Sequence, residues 1–292
     1  MASDLNGRVF LITGGTEGVG KAAARDFAKR GATLVLVGRN REKTERVVGE
    51  LRAAGGNAQV ESLIGDLAVL ADVRRVAAEF RARHSRLDVL VLNAGAVFAG
   101  FHVTPDGFEQ TFAVNHLAHF QLTVALLDLL KATPGARIVS TSSGAHFVGR
   151  IRIPDVALPP KKRAAFGAYG NSKLANVLFT RELARRLEGS GVTANCFHPG
   201  FIRSGLAMNN GRAVQVLTRA LGALFGKAPE HGADSLVWLA TADEAARFNG
   251  EYFVARKPVR ASAAGRDDAL AQKLWTFSEE LLRRSEGAAA QR

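Results

Sequence analysis

Residues 8–31, RVFLITGGTEGVGKAAARDFAKRG, join an apolar run to a helical pattern through a glycine-rich turn. RVFLIT is typical of a buried strand, and KAAARDFAKRG is typical of a helix. Gly14, Gly18 and Gly20 have the spacing G-x-x-x-G-x-G, which permits a tight turn and close approach of the backbone to a pyrophosphate. The helix N-terminus adds N–H groups and a positive dipole end. The stretch predicts a dinucleotide-binding strand–turn–helix unit, and a glycine turn without a ligand is the alternative.

The same alternation of strand and helix patterns continues along the chain. Further strand patterns lie in ATLVLVG, AQVESLIGD, LDVLVLNAG, ARIVSTSS, GVTANCFHPG and GEYFVA. Apolar strands that alternate with helices indicate a parallel sheet covered on both faces. We predict an α/β protein with a single-domain Rossmann fold, in which a doubly wound parallel sheet of about seven strands has helices on both faces. Such sheets bind ligands at the carboxyl ends of their strands.

The sequence contains no internal repeat or low-complexity linker that would divide it. Residues 1–292 are therefore predicted to form one dinucleotide-binding and catalytic domain with a core over about 5–255. Residues 201–228 are apolar and follow a strand pattern, which suggests a lid over the substrate; an amphipathic helix that packs on the body of the protein is an equally good alternative. Residues 257–292 are predicted to be a C-terminal extension with a helix near its end.

Composition excludes several classes of protein. The only cysteine, Cys196, excludes an internal disulfide and a cysteine-cluster metal site. The formal net charge is +12, but the basic residues are scattered and mostly alternate with acids, as on solvated helix faces, so we expect no nucleic-acid binding. Alternatively, the positively charged surface could attract an anionic cofactor or the anionic face of a membrane. The sequence has no long apolar run and no signal-peptide pattern, which predicts a cytoplasmic protein without a membrane span.

One of the two tyrosines, Tyr169, precedes Lys173 by four residues at the head of a helical pattern, AYGNSKLAN. This spacing places the phenol and the ammonium on one helix face. A nearby positive charge favours the phenolate and lowers the tyrosine pKa from about 10. The spacing alone makes the pair a candidate for a tuned proton donor. A packed tyrosine beside a surface lysine is the alternative.

Residues after the second strand pattern bear on the choice of cofactor. An NAD site usually has an acidic residue there to bind the ribose 2′-hydroxyl, but Arg39 occupies this place and the first acid is Glu42. A guanidinium suits a 2′-phosphate, so Arg39 favours NADP over NAD. Glu17 in the glycine turn opposes this choice because it would repel the same phosphate. A surface arginine without a ligand is the alternative.

Polar residues also follow other strand patterns. Asp66 is a candidate for an adenine contact, and Asn93, Ala94 and Gly95 are candidates for passing close to a cofactor ribose. Each of these segments alone is an ordinary turn signal. Asn115 is an unfavourable residue inside a helix, which suggests either an interhelical hydrogen bond or a water held in a proton relay.

Ser143 lies just after a strand pattern, close to His146, and this pair raises the possibility of a hydrolase. No G-x-S-x-G elbow surrounds the serine, which argues against that chemistry. His116 and His119 stand three residues apart on a helical pattern, but no carboxylate accompanies them at helical spacing, so no metal is expected.

Taken together, these motifs resemble the short-chain dehydrogenase/reductase family over about residues 5–255. TGGTEGVG is similar to the family's T-G-x-x-x-G-x-G loop, and NAG, VNHLAHF, STSSGAH, YGNSK and HPGFIRS are similar to five later segments in the same order. VNHLAHFQLT, SSGAH and YGNSKLAN are most similar to the retinol dehydrogenase and WW-domain oxidoreductase branch. Light-dependent protochlorophyllide reductases are relatives, but they carry extra cysteines that this chain lacks.

The resemblance implies roles for individual residues. Tyr169 would be the general acid for carbonyl reduction and the base for alcohol oxidation. Lys173 would lower the tyrosine pKa and bind the nicotinamide ribose, Ser143 would orient the substrate oxygen, and Asn115 would complete a water-linked relay. The implied cofactor-binding residues are Gly14, Thr16, Glu17, Gly18, Val19, Gly20, Arg39, Asp66, Leu67, Asn93, Ala94, Gly95, Tyr169, Lys173, Pro199 and Gly200.

We therefore expect an NADP-preferring oxidoreductase that interconverts a hydrophobic ketone or aldehyde and an alcohol. A catalytically idle protein that binds NAD(P) and serves as a regulator or partner surface is the alternative. The resemblance also implies a homodimer or homotetramer, since the long helix from Phe108 and the helix from Tyr169 form the usual family interface. Their sequence pattern alone does not separate an interface from a core.

Overall fold

The computed structural model describes residues 4–55, 59–98, 100, 102–157, 165–202 and 226–290. Their strands form one eight-stranded sheet in the order β3-β2-β1-β4-β5-β6-β7-β8. The strands are β1 Val9–Thr13, β2 Thr33–Gly38, β3 Val60–Ile64, β4 Val89–Leu92, β5 Arg137–Thr141, β6 Thr193–His198, β7 Tyr252–Val254 and β8 Lys257–Pro258. Strands β1 to β7 pair in parallel, so the predicted fold class is confirmed.

Helices cover both faces of this sheet. They are α1 Gly18–Lys29, α2 Arg41–Gly55, α3 Leu70–Arg83, α4 Gln110–Ala132, α5 Ala165–Arg186, α6 Pro229–Thr241 and α7 Asp268–Ala290. Alternate strand residues supply two apolar layers: Phe10 and Leu34 pack towards α1, α2 and α6, whereas Leu11 and Val35 pack towards α3, α4 and α5. This double burial explains why the strands are continuously apolar.

Helix α4 has the length and the mean hydropathy, 1.2, of a membrane span, and it is the one described helix that does. Its most apolar window is 67% buried within the protein, and Phe120, Leu122, Leu126 and Leu130 pack into the apolar layer below α3 and α5. Its contacts are those of a core helix. One π-helical turn, Ala113–Leu117, interrupts it near its start.

The eighth strand was not predicted. It runs antiparallel to β7, and Ala255 and Arg256 form the two-residue turn with φ of 49° and 60°. Two central residues with positive φ match the twist of a tight hairpin, for which Asn and Gly are the usual residues. The Arg256 side chain pairs with Asp234, and its backbone N–H donates to Ser235 Oγ at 3.1 Å. Tertiary contacts therefore hold a turn that lacks the usual sequence signal.

The C-terminal extension packs on the two helices that the resemblance assigned to an oligomer interface. From α7, Leu274, Phe277 and Leu281 join an apolar cluster with Leu174 of α5 and Phe112 of α4. Part of the apolar surface of α4 and α5 is therefore covered by the same chain. The predicted lid falls largely on residues 203–225, outside the described residues.

Candidate active site

The site lies where the sheet changes direction. From β1 the chain runs to β2 on one side, whereas β4 pairs with β1 on the other side. Such a switch point opens a crevice at the carboxyl ends of the strands. Thr13 Oγ1 accepts hydrogen bonds from the backbone N–H groups of Asn93 and Ala94 at 3.0 and 3.1 Å, and Asn93 Nδ2 donates to Gly14 O at 3.0 Å. The two loops that follow β1 and β4 are thereby joined.

Gly14 in the turn after β1 and Gly20 in the first turn of α1 tolerate no side chain. Gly14 has φ of +67°, and a Cβ there would lie 2.7 Å from Ala94 Cα. A Cβ at Gly20 would lie 2.3 Å from Gly14 O. The first turn of α1 has no side-chain cap, because the N-cap residue Glu17 makes no hydrogen bond to it. This tight turn and uncapped helix N-terminus fit the pyrophosphate of a dinucleotide.

A cavity of ≈ 1100 Å³ runs from this turn across the ends of β4, β5 and β6 to α5. The predicted site residues that line it are Gly14, Thr16, Glu17, Gly18, Val19, Arg39, Asp66, Leu67, Asn93, Ala94, Gly95, Ser143, Tyr169, Lys173, Pro199 and Gly200. Gly20 and Asn115 lie behind the wall rather than on it: Gly20 packs under the turn, and Asn115 is fully buried.

At one end of the cavity Glu17 forms an ion pair with Lys43, a residue that the sequence analysis did not assign to the site. Lys43 Nζ lies 2.6 Å from Glu17 Oε2, and both residues line the cavity with Arg39. Asn40 precedes α2, and its Oδ1 accepts a hydrogen bond from the Lys43 backbone N–H at 2.8 Å, which fixes the helix start beside the cavity. The charge of Glu17, which argued against a 2′-phosphate, is therefore balanced. Lys43 lies four residues after Arg39, and this spacing does not distinguish it from the other basic residues scattered along the chain.

At the other end Lys173 is almost completely buried, with 2% of its surface exposed. Its Nζ donates to Thr141 O at 3.0 Å, at the end of β5. Burial lowers the pKa of Lys173 to about 8, since the charged ammonium is poorly solvated there. A Cβ at Gly95 would lie 3.3 Å from this Nζ, so the glycine keeps space open beside the ammonium.

The pKa of Tyr169 does not follow the sequence prediction. Burial of the phenol raises its pKa above the usual value, and a hydrogen bond with Ser143 offsets part of this increase. Lys173 Nζ lies 5.6 Å from the centroid of the tyrosine ring and is engaged by Thr141 O. Desolvation therefore sets the direction of the pKa shift, and Tyr169 is a protonated phenol at neutral pH.

Ser143 is held in a turn. Its backbone is extended, with φ of −161°, and its hydroxyl accepts from Ala145 N–H at 3.2 Å at the start of the short helix Gly144–Val148. Its carbonyl oxygen accepts the Nδ1–H of His146 at 2.8 Å. The imidazole therefore bonds the serine backbone and not its hydroxyl, so the pair lacks the geometry of a hydrolase.

Asn115 lies in the π-turn of α4. Its Oδ1 accepts from Ala96 N–H at 2.8 Å, and its Nδ2 donates to Ala96 O and Ser172 Oγ, both at 3.0 Å. The amide thus ties the loop after β4 to α5, next to Lys173. Its predicted place in a water-linked relay stays a prediction.

Both histidines of α4 lie within hydrogen-bond distance of side-chain hydroxyl groups. His116 Nε2 lies 3.1 Å from Ser278 Oγ, and His119 Nε2 lies 3.0 Å from Thr13 Oγ1. Burial lowers the pKa of each imidazole to about 3, so both are neutral. Within the described ranges, no three His, Cys, Asp or Glu residues are grouped so as to hold a metal ion.

Comparisons with known proteins agree with this geometry. The family model of short chain dehydrogenases matches residues 8–215. Retinol dehydrogenase 12 of Mus musculus is 41% identical over 276 residues, which cover 94% of this chain and 86% of that protein. A crystal structure of an uncharacterized protein from Mycobacterium Paratuberculosis has a TM-score of 0.77 and 33% identity, with 97% of each chain covered. A short chain dehydrogenase from Burkholderia cenocepacia in complex with NADP has a TM-score of 0.67 and 27% identity, with 85% of this chain and 96% of that chain covered. The chain is therefore an NAD(P)-dependent oxidoreductase that acts on CH–OH donors and belongs to the short chain dehydrogenase family.

Proposed function

We propose that this oxidoreductase prefers NADP and interconverts a hydrophobic aldehyde or ketone and the corresponding alcohol. The observation that supports this most is the convergence of Ser143, Tyr169 and Lys173 on one end of a cavity whose other end carries Arg39 and Lys43. A proton donor and a cationic anion site at the two ends of one cavity are what a phosphorylated dinucleotide and a carbonyl group require.

Carbonyl reduction adds a hydride to the carbon and a proton to the oxygen. The bound nicotinamide supplies the hydride. The Tyr169 hydroxyl, protonated at neutral pH, donates the proton to the substrate oxygen, and Ser143 donates a hydrogen bond to the same oxygen. Lys173 would hold the ribose of the cofactor and supply the positive charge that stabilises the phenolate left after proton transfer.

Two cations support NADP over NAD. Arg39 and Lys43 both line the end of the cavity next to β2 and α2, where a 2′-phosphate would lie in this fold. The Lys43–Glu17 pair removes the repulsion that Glu17 alone would exert. The Burkholderia structure, which holds NADP, is similar in fold to this chain.

The substrate end of the cavity supports an apolar ligand. Phe98, Val114, Val148 and Phe201 line the same cavity as Ser143 and Tyr169. Phe201 and Val148 are 58% and 60% exposed, so the mouth itself presents apolar surface. Retinol dehydrogenase 12, a relative at 41% identity, is named for a long apolar alcohol, which agrees with this choice of substrate class.

Replacement of each tyrosine by phenylalanine, one at a time, tests the proposal. Tyr169→Phe removes the proton donor, so we expect reduction of a panel of apolar aldehydes by NADPH to fall at least a hundredfold, since general acid catalysis contributes about 10²–10⁴-fold. NADPH binding, followed by its fluorescence, should be retained. Tyr252→Phe is the matched control. Full activity of Tyr169→Phe would refute the proposal, and a wild-type protein that binds NADPH but reduces nothing would favour the idle binding protein.

Three further expectations stay predictions: a single domain over residues 1–292, a cytoplasmic location, and a homodimer or homotetramer. The packing of α7 against α4 and α5 bears on the last of these, because the surface that the resemblance assigns to the interface is partly occupied.

A further inference from the structure

His146 connects the catalytic serine turn to the C-terminal extension through two hydrogen bonds. Its side chain is completely buried. Nδ1 lies 2.8 Å from Ser143 O, and Nε2 lies 3.1 Å from the backbone N of Ser262. Ser262 lies 116 residues after His146 in the chain, yet the one imidazole bonds both Ser262 and Ser143.

The partners fix the protonation of the ring. A carbonyl oxygen only accepts, so Nδ1 carries the proton and donates to Ser143 O. A backbone N–H only donates, so Nε2 is unprotonated and accepts from Ser262. The ring is also packed against Phe147 and Tyr252, with centroids 4.1 and 4.7 Å away. Rotation of the ring would break both hydrogen bonds and both ring contacts.

The first of these bonds acts on the catalytic serine directly. Ser143 O accepts both the backbone N–H of His146 at 3.1 Å and its ring N–H. These two donors hold the carbonyl group of Ser143, and Ala145 N–H, which donates to Ser143 Oγ, holds its hydroxyl. The direction in which its hydroxyl meets Tyr169 therefore depends on where the His146 ring lies.

The hydrogen bond from Ser262 N–H to His146 Nε2 fixes the position of the imidazole ring. Ser262 follows β8, and its own hydroxyl accepts from Gly265 N–H at 3.1 Å, which organises the loop that leads to α7. We propose that His146 is a positioning residue for Ser143 and that the backbone of the C-terminal extension at Ser262 sets its position. The extension would then be part of the catalytic apparatus as well as a cover for α4 and α5. This inference rests on the proposed function.

A double-mutant cycle tests the connection. His146→Phe keeps the size of the ring but removes both nitrogen atoms. Ser262→Pro removes the N–H group together with the hydroxyl that accepts from Gly265 N–H, so Ser262→Ala, which removes the hydroxyl alone, is its reference and should keep the wild-type kcat. We expect His146→Phe and Ser262→Pro each to lower kcat for reduction of nonanal by NADPH about tenfold, the equivalent of one hydrogen bond of about 1.4 kcal/mol, with KM for NADPH unchanged. The double variant should also be about tenfold slower, because both changes break the same link. A loss of about a hundredfold, or a Ser262→Pro protein with wild-type kcat, would overturn the proposal.

A control variant separates this effect from general docking of the extension. Ser278→Ala removes another histidine–serine contact between α7 and the body, His116 Nε2 to Ser278 Oγ, and neither of these residues lines the cavity. We expect it to keep the wild-type kcat. An equal loss of kcat in Ser278→Ala would overturn the specific role of His146. Thermal denaturation of each variant shows whether it is folded at the assay temperature.

A measurement without substrate keeps this inference separate from the proposed function. In Tyr252→Phe protein labelled with carbon-13 at the tyrosine Cζ, Tyr169 is the only tyrosine and gives one NMR resonance. His146→Phe and Ser262→Pro should shift it in the same direction, because both change the position of Ser143, which lines the same cavity as Tyr169 and interacts with its phenol. An unshifted resonance in both variants would refute the link even if no aldehyde is reduced. An active Tyr169→Phe protein would instead refute the proposed function.

Discussion

Replacement of Lys173 by methionine should abolish activity and make the protein more stable. The pKa of Lys173 falls from 10.5 to about 8 through burial. Each unit of pKa shift corresponds to about 1.4 kcal/mol, so the folded state carries a charged ammonium at neutral pH at a cost of about 3 kcal/mol. Methionine fills a similar space without a charge but loses the bond to Thr141 O, which costs about 1 kcal/mol. Asn176 Nδ2 still donates to that oxygen at 3.2 Å, so it keeps a partner.

The expected net gain at pH 7 is therefore about 2 kcal/mol, or roughly 4 °C in Tm for a chain of this size. It should depend on pH in a defined direction. Between pH 8 and 10.5 the unfolded lysine binds more protons than the folded one, so the stability of the wild type rises with pH there. The advantage of Lys173→Met should be largest below pH 8 and shrink as the pH approaches 10.5.

Urea denaturation of both proteins at pH 7 and pH 10 measures this change. Lys273→Met is the control, because Lys273 is exposed on α7 and its replacement should change the free energy of unfolding by less than about 0.5 kcal/mol. A Lys173→Met protein that is no more stable than the wild type at pH 7, or a difference that is the same at both pH values, would refute the assignment of a buried ammonium.

Two further predictions concern the cofactor and the hairpin. Lys43→Ala should raise KM for NADPH about tenfold and leave KM for NADH unchanged, because one charge-assisted contact of about 1.5 kcal/mol with the 2′-phosphate is lost. Lys21→Ala, which breaks the ion pair with Glu50, is the control. Equal effects on KM for both cofactors would contradict the role of Lys43 in binding the 2′-phosphate. Ala255→Gly should stabilise the protein by about 1 kcal/mol in urea denaturation, because Ala255 has φ of 49° and glycine adopts that conformation without strain; a loss of stability would show that the turn is unstrained.

The sequence was sufficient to predict those elements whose local residue pattern also determines their place in the tertiary structure. Continuous apolar strands alternate with helices, and this alone predicts a parallel sheet with both faces covered. The glycine turn after β1, the segment after β4 and the end of β5 then meet because carboxyl ends of parallel strands share one edge. Most predicted site residues line the cavity for this reason.

The failures concern properties that depend on contacts between distant segments. Strand β8 has only two residues, and its turn, Ala255–Arg256, is held by Asp234 and Ser235 of α6 rather than by its own residue types. The link from His146 to Ser262 likewise joins a strand end to the C-terminal extension, and no spacing in the sequence indicates it.

The charge state of the catalytic pair shows the same limit. Helical spacing correctly places Tyr169 near Lys173, but proximity alone predicts a phenolate stabilised by an ammonium. The structure adds burial, which acts on both groups in the direction of neutrality: it raises the pKa of the tyrosine and lowers the pKa of the lysine to about 8. At neutral pH the tyrosine therefore holds the proton that carbonyl reduction consumes, whereas alcohol oxidation first requires that proton to leave. Under the proposed function, this resting charge state would make Tyr169 a proton donor, and Lys173 would contribute most after proton transfer, when a phenolate would lie beside its ammonium.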